Sequence, residues 1–335
     1  MNPVVLTASV TFAVALVAPW VVKPFLVKLG VIDVPTARSS HTEVTLRGMG
    51  LATSLGVLAG AVTALFSQAV PTNRFLALAV AGCALCSALL GWIEDIRGLS
   101  IRVRASAQLL LGLVVTVAMT ANLHVSWWWL PLGVLAVSGY INAANFMDGV
   151  NGISGIHGLV VGALYSAAGV LSGQPWLTVA GAILAAAFAA FLPWNLGRGK
   201  VFLGDVGSYL LGGGIAAMAV GGFLSGIAIE YLLSPLMIYL ADTGYTLVRR
   251  YRQGKRWYES HREHVYQRLT DVGFSHVGVA VLVGVFSAVT GICGIVAAGA
   301  PWWGALVAQV LTVAVLVTYL ALPTVLERRR ARRVV

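Results

Sequence analysis

Five carboxylates stand where a carboxylate is costly, at the ends of long apolar stretches. Glu94 and Asp95 close GCALCSALLGWIED, Asp148 closes YINAANFMD, Asp205 opens GDVGSYLLGGG, and Asp242 lies near the end of MIYLADTGYTLVRR. A charge near bilayer depth marks a functional site by default. In SGYINAANFMDGVNGISG a helical reading puts Asn142, Asn145 and Asp148 at i, i+3 and i+6, a polar stripe running to the helix end, with Gly149, Asn151, Gly152 and Gly155 in the turn beyond it. Asn residues gluing one helix to another are the structural alternative, but that leaves Asp148 without a cation. Asp205 and Ser208, at the start of an apolar helix, suit either a helix N-cap or a hard cation offered to phosphates. GDVG itself lacks the Lys-Ser/Thr of a phosphate loop.

Cations and imidazoles are placed to match. The segment 249–274 carries seven Lys and Arg residues, among them Arg268, with His261 and His264 at i and i+3. Such a set can hold a diphosphate, and a surface amphipathic helix is the alternative. It lacks the HExxH spacing of a zinc protease, so zinc is not expected. TARSSHTEVTLRGMG adds Arg38, His41 and Arg47. His124, His157 and His276 read as loop or packing residues, and Cys83, Cys86 and Cys293 sit in apolar runs without metal-ligand spacing. Carboxylates that bind Mg²⁺ or Mn²⁺ beside basic residues that neutralise oxygens are the parts of phosphoryl transfer, and a lipid phosphate is the economical second substrate.

The elements that must position these groups follow from composition. Of 335 residues 59% are hydrophobic and 10% charged, with a mean hydropathy of +0.87 and 38 glycines. That excludes disorder and an ordinary soluble domain, in which roughly 25% of residues are charged. We expect an all-α, polytopic membrane protein forming a single catalytic domain over 1–335, with eleven spans at about 4–29, 49–70, 75–93, 105–121, 126–144, 156–172, 176–194, 206–222, 224–248, 275–297 and 302–323. The first segment has no basic stretch before it and reads as a span rather than a cleaved signal peptide. The loops 30–48, 94–104, 145–155, 195–205 and 249–274 hold nearly all the charge. On this map 21 of the 22 Lys and Arg residues fall on one face, Arg74 being the exception, and 11 of the 12 acidic residues join them, Glu230 being the exception. The positive-inside rule makes that face cytoplasmic, with the N-terminus outside and the C-terminus inside. The net charge of +10 is then topological and implies no nucleic acid; the Arg run at 328–333 reads as an anchor near anionic lipid.

Five ordered segments, RSSHTEVTLRGMG (38–50), GWIEDIRGLSIRVRASAQ (91–108), NAANFMDGVNGISG (142–155), FLGDVGSYLLG (202–212) and HREHVYQRL (261–269), resemble the polyprenyl-phosphate N-acetylhexosamine-1-phosphate transferases over nearly the whole chain. The resemblance implies a bacterial inner-membrane enzyme, compatible with a homodimer, whose partners are undecaprenyl phosphate, a UDP-amino sugar and membrane lipid. The lipid phosphate would attack the β-phosphate and release UMP, with Mg²⁺ or Mn²⁺ as cofactor. It implies catalytic roles for Glu94, Asp95, Asp148 and Asp205, with Asp205 and Asp148 at the metal. Substrate contacts are expected from Asn142, Asn145, Asn151, Arg38, His41, Arg47, Arg104, His261, His264 and Arg268. Alignment and charge neutralisation are the main catalytic effects expected, since a phosphate with a second pKa of about 6 is already largely ionised near neutral pH.

Three departures stand out: Glu94-Asp95 in place of the usual Asp-Asp, Met49 where Gly is frequent, and only two His in the His segment. HREHVYQRL is most similar to the O-antigen branch, whose donors include UDP-GlcNAc and 6-deoxy relatives such as UDP-FucNAc and UDP-QuiNAc. The pentapeptide-bearing peptidoglycan branch is the alternative within the family. Outside it, a transporter predicts inverted repeats with helices interrupted at midplane, whereas here polar residues gather at one face and no repeat is visible; a non-catalytic scaffold leaves the carboxylates unexplained.

Overall fold

The structure, a computed structural model, describes residues 2–34, 44–196, 201–256 and 261–334. Arg38 and His41 lie outside the described residues. The helices are α1 (Pro3–Val17), α2 (Pro19–Leu29), α3 (Gly50–Phe66), α4 (Arg74–Arg97), α5 (Ile101–Leu123), α6 (Leu130–Met147), α7 (Ile153–Leu171) and α8 (Pro175–Leu196), followed by α9 (Gly204–Leu224), α10 (Ile229–Leu233), α11 (Met237–Arg252), α12 (Val265–Asp271), α13 (His276–Gly299) and α14 (Trp302–Val334). Two short strands, β1 (Ile32–Asp33) and β2 (Thr45–Leu46), pair antiparallel with Ile32 opposite Leu46.

Against the eleven spans expected, the described residues contain eight helices that are long and apolar enough to cross a membrane, or nine when the bent pair α1–α2 is counted as one span. Backbone chemistry accounts for much of the difference. Pro19 opens α2 without an N–H to give, and the chain bends by 40° between α1 and α2. The segment expected at 224–248 is interrupted by Ser234-Pro235, which divides it into α10, a single 3₁₀ turn and α11. The segment at 49–70 is the 17-residue helix α3.

Helix α9 is the axis of the bundle. It packs against α3, α4 and α6, and almost all of its residues are buried. Hydrocarbon offers no hydrophobic drive between helices, so close approach of small residues supplies the packing. A Cβ at Gly212 would lie 2.6 Å from Cα of Ile141, so α6 can approach α9 only because that side chain is missing. By contrast, α14 runs along the outside with Leu306, Val310, Val313 and Val317 exposed, as lipid-facing positions must be.

The helix ends bring the charged loops together. The C-terminal ends of α4 and α6 meet the N-terminal ends of α7 and α9 at one end of the bundle, where β2 and α12 also dock.

Candidate active site

Asp95, on the last turn of α4, is fully buried and caps α9 from outside that helix. Its Oδ1 accepts the Asp205 N–H at 3.0 Å and its Oδ2 the Val206 N–H at 2.9 Å. The arrangement needs glycine at 204. This residue has φ +78°, and a Cβ there would lie 2.6 Å from Asp95 Oδ2 and 2.7 Å from the Gly48 nitrogen.

Arg47 bridges the two carboxylates, its Nε 2.6 Å from Asp95 Oδ1 and its Nη2 2.7 Å from Asp205 Oδ2. Strand-like pairing holds it in place, with the Phe202 N–H donating to the Leu46 carbonyl and the Met49 N–H to the Phe202 carbonyl. Burial pulls the Arg47 pKa down, but Asp205 and Asp95 outweigh it and raise the pKa above the ordinary value, so the guanidinium stays charged. The remaining Asp205 oxygen, Oδ1, accepts from Asn145 Nδ2 at 2.7 Å; the same amide lies 3.1 Å from Ser208 Oγ.

Asp148 follows the last turn of α6, and its Oδ1 accepts from Ser154 Oγ on α7 at 2.6 Å. Its pKa is pushed up to about 7, first by burial and further by Asp205 and Asp95, with the Ser154 hydrogen bond and Arg47 opposing. The turn after it is fixed by Asn195 of α8, whose Oδ1 accepts the Gly152 N–H at 2.5 Å and whose Nδ2 donates to the Val201 carbonyl at 2.9 Å.

These groups surround a cavity of about 290 Å³ lined by Asp33, Arg47, Asn145, Asp148, Asn151, Asn195, Asp205, Gln267 and His276, together with residues 149–150 and 202–204. The structure thus brings together Arg47, Asn145, Asn151, Asp148 and Asp205, with Asp95 directly behind. Asp148 and Asp205 line the same cavity. Among the described residues no group of three or more His, Cys, Asp or Glu could hold a metal ion. The donor set nevertheless suits Mg²⁺, which is commonly held by one or two carboxylates completed by water and substrate phosphate oxygens.

Other expected residues are engaged elsewhere. Glu94 accepts the Leu99 N–H at 2.6 Å and pairs with Arg104 at 3.2 Å, closing the α4–α5 turn. Asn142 donates to Gln108 Oε1 at 2.5 Å and to the Ser138 carbonyl, the helix-gluing role. Arg268 reaches Glu327 at 2.9 Å and Thr324 at 3.0 Å on α14. In the basic segment, Arg249, Arg250 and Lys255 converge on Glu263 at 3.2, 2.5 and 2.9 Å, and Arg262 pairs with Asp271. Burial raises the Glu263 pKa, but hydrogen bonds from Lys255 and Arg249 and the charge of Arg250 together outweigh it and hold the pKa below the usual carboxylate value. His261 and His264 stack on each other, centroids 4.9 Å apart, beside Phe146.

Sequence reasoning missed Gln267, His276, Asn195 and Asp33 as cavity residues. Asn195 and His276 each lie at the end of an apolar run, so the rule applied to the carboxylates would have found them; Gln267 and Asp33 carry no such signal.

A sequence profile for glycosyl transferase family 4 matches residues 77–223. The probable undecaprenyl-phosphate N-acetylglucosaminyl 1-phosphate transferase of Bacillus subtilis is 27% identical over 319 residues, covering 90% of this chain and 87% of that protein. The decaprenyl-phosphate N-acetylglucosaminephosphotransferase of Mycolicibacterium smegmatis is 30% identical over 307 residues, covering 78% and 74%. The phospho-N-acetylmuramoyl-pentapeptide-transferase of a Picosynechococcus species is 34% identical, over only 45% of this chain and 46% of its own. A multi-pass bundle that gathers its carboxylates and Arg47 at one end thus coincides with similarity along most of the chain, which belongs to glycosyl transferase family 4, the polyprenyl-phosphate N-acetylhexosamine-1-phosphate transferases.

Proposed function

We propose that the protein transfers an N-acetylhexosamine 1-phosphate from a UDP-sugar, UDP-GlcNAc or a 6-deoxy relative such as UDP-FucNAc or UDP-QuiNAc, to undecaprenyl phosphate. UMP is released, in the first membrane step of a cell-surface glycan. The observation that carries this reading is the cavity where Asp148 and Asp205 face one another's surroundings with Arg47 bound to Asp205 at 2.7 Å, a paired-charge site at the end of a membrane bundle. The names of the Bacillus and Mycolicibacterium relatives, matched along most of the chain, support the substrate class. The charge map, with 21 of 22 basic residues on one face, supports a cytoplasmic site in a bacterial plasma membrane.

In this mechanism an oxygen of the lipid phosphate forms a bond to the β-phosphorus of the donor. The bond from that phosphorus to the bridging oxygen breaks, and the oxygen leaves with UMP. Asp205 and Asp148 are the residues that would hold Mg²⁺ or Mn²⁺, and the ion would neutralise diphosphate charge there. The chain's own work is positional. Asp95 fixes the first turn of α9, Arg47 and Asn145 hold both Asp205 oxygens in place, and Ser154 holds Asp148. Preorganised charge and orientation of this kind are sufficient to account for large rate effects without a protein base.

A second reading, transfer of a pentapeptide-bearing muramyl phosphate, is favoured by the 34% identity to the Picosynechococcus enzyme, though over less than half of each chain. Purified protein with undecaprenyl phosphate, Mg²⁺ and a panel of UDP-GlcNAc, UDP-FucNAc, UDP-QuiNAc and UDP-MurNAc-pentapeptide distinguishes the two by UMP release. UMP from an amino sugar alone is expected, and no UMP from any donor would overturn both. Asp205→Asn is expected to lower turnover by at least roughly 10²-fold with an unchanged thermal midpoint, since one charged contact made in the transition state is worth about that much; near-normal activity would remove Asp205 from the site.

A further inference from the structure

Of the original five carboxylates the cavity and its supports leave two unused, Glu94, which closes the α4–α5 turn, and Asp242. Asp242 sits within α11, completely buried, yet its oxygens are crowded with donors. Oδ1 accepts the Val265 N–H at 2.9 Å and the Thr246 hydroxyl at 3.3 Å and lies 3.0 Å from Nδ1 of His264. Oδ2 accepts the Tyr266 N–H at 3.1 Å and the Tyr319 hydroxyl at 2.6 Å. Among the described residues His264 is its only basic partner. A carboxylate taken out of water is tolerated only with such complete hydrogen bonding. It repeats the device of Asp95: one carboxylate, two backbone N–H groups at the start of another helix.

What it holds leads back to the cavity. The His264 N–H donates to Gln267 Oε1 at 3.2 Å, and Gln267 lines the cavity. The His264 ring lies against Phe146, centroids 6.0 Å apart, between Asn145 and Asp148 in sequence. The Tyr266 hydroxyl donates to the Phe146 carbonyl at 3.0 Å, which ties the same turn to the end of α6. With Nδ1 directed at Asp242, the Nε2 edge of the ring is turned away from that carboxylate.

We infer that Asp242 is a positioning residue of the transferase site that acts through His264: it fixes the ring orientation and the Nδ1-protonated form of that imidazole beside the cavity. A ring nitrogen bonded to a carboxylate must carry the proton, which sets what its other nitrogen can offer a substrate. The inference rests on the transferase reading above.

Two measurements test it. The first uses wild-type protein labelled with ¹⁵N-histidine and needs no turnover. The resonance that disappears in His264→Ala is expected to show a protonated Nδ1, and a neutral ring protonated only at Nε2 would overturn the inference whatever the enzyme's donor. The second is a cycle of Asp242→Asn, His264→Ala and the pair, read as kcat and as KM for the UDP-sugar and for undecaprenyl phosphate. Asp242→Asn is expected to lower kcat roughly 10–100-fold, the usual effect of removing a carboxylate behind a functional imidazole. It should leave the KM for undecaprenyl phosphate within about threefold, and the pair should be no worse than His264→Ala alone. Losses that multiply in the pair, or an unchanged kcat, would overturn it. If Asp242→Asn does not fold, the resonance decides. Absence of UMP from wild-type protein with every donor would sink the transferase reading and leave the histidine measurement standing on its own.

Discussion

At the scale of single residues, burial sorts the carboxylates by job. Asp95 spends both oxygens on backbone N–H groups and one on Arg47, so its role is to hold α9 and Asp205 still. Asp148 accepts a hydrogen bond from Ser154, and its pKa is raised from the ordinary 3.8 to about 7. The sign of the consequence is fixed by linkage. Between pH 4 and pH 7 the folded protein keeps a proton that the unfolded chain has released, so stability falls as pH rises through that window and the loss is complete above about 7. In chelator, Asp148→Asn should therefore raise the thermal midpoint at pH 8, by roughly 2–4 °C for each kcal/mol relieved, and leave it unchanged at pH 4. Equal effects at the two pH values would show that Asp148 is not buried as an unwelcome charge.

At the scale of elements, the site is an arrangement of helix ends. Loop 202–204 must turn sharply so that Asp95 can reach the first N–H groups of α9, and Gly204 makes that turn at φ +78°. Gly30 has a comparable φ of +67° but open space where a Cβ would go. The pair separates backbone strain from collision. Gly30→Ala should cost about 1 kcal/mol, the left-handed penalty alone, whereas Gly204→Ala should cost roughly 1–3 kcal/mol in strain with the displacement of Asp95 added. Thermal unfolding of both variants, with UMP release alongside, checks this: only Gly204→Ala should lose turnover. Equal losses of activity would mean that the α4–α9 junction does not set the site.

At the scale of the whole molecule, charge distribution and helix order must agree on one topology. The reading with the N-terminus outside and the C-terminal Arg run inside predicts that a cysteine placed at Asn2 reacts with an impermeant maleimide from outside intact cells, while one placed after Glu327 reacts only after lysis. Labelling of both from the same side would require an even number of crossings and would place α3 or the α10–α11 segment off the membrane path. The interruption at Ser234-Pro235 makes that segment the element to watch.

The sequence alone determined the membrane class, and five of the polar residues it singled out near the ends of apolar runs, Arg47, Asn145, Asn151, Asp148 and Asp205, line one cavity in the structure. Span boundaries were legible wherever apolar runs were long. The breaks inside two of those runs, at Pro19 and at Pro235, were not legible, because hydropathy averages over a residue that cannot donate a backbone hydrogen bond. What only the tertiary structure decided is partnership. Periodicity says which face a side chain takes but not which helix meets it, so Arg268 and Asn142, expected at the substrate, are found bridging helices, while Gln267 and His276 are found in the cavity. The two buried carboxylates that organise the site, Asp95 and Asp242, act on helix ends 110 and 23 residues further along the chain, respectively, and pairings over such distances are written in packing rather than in any local run of residues.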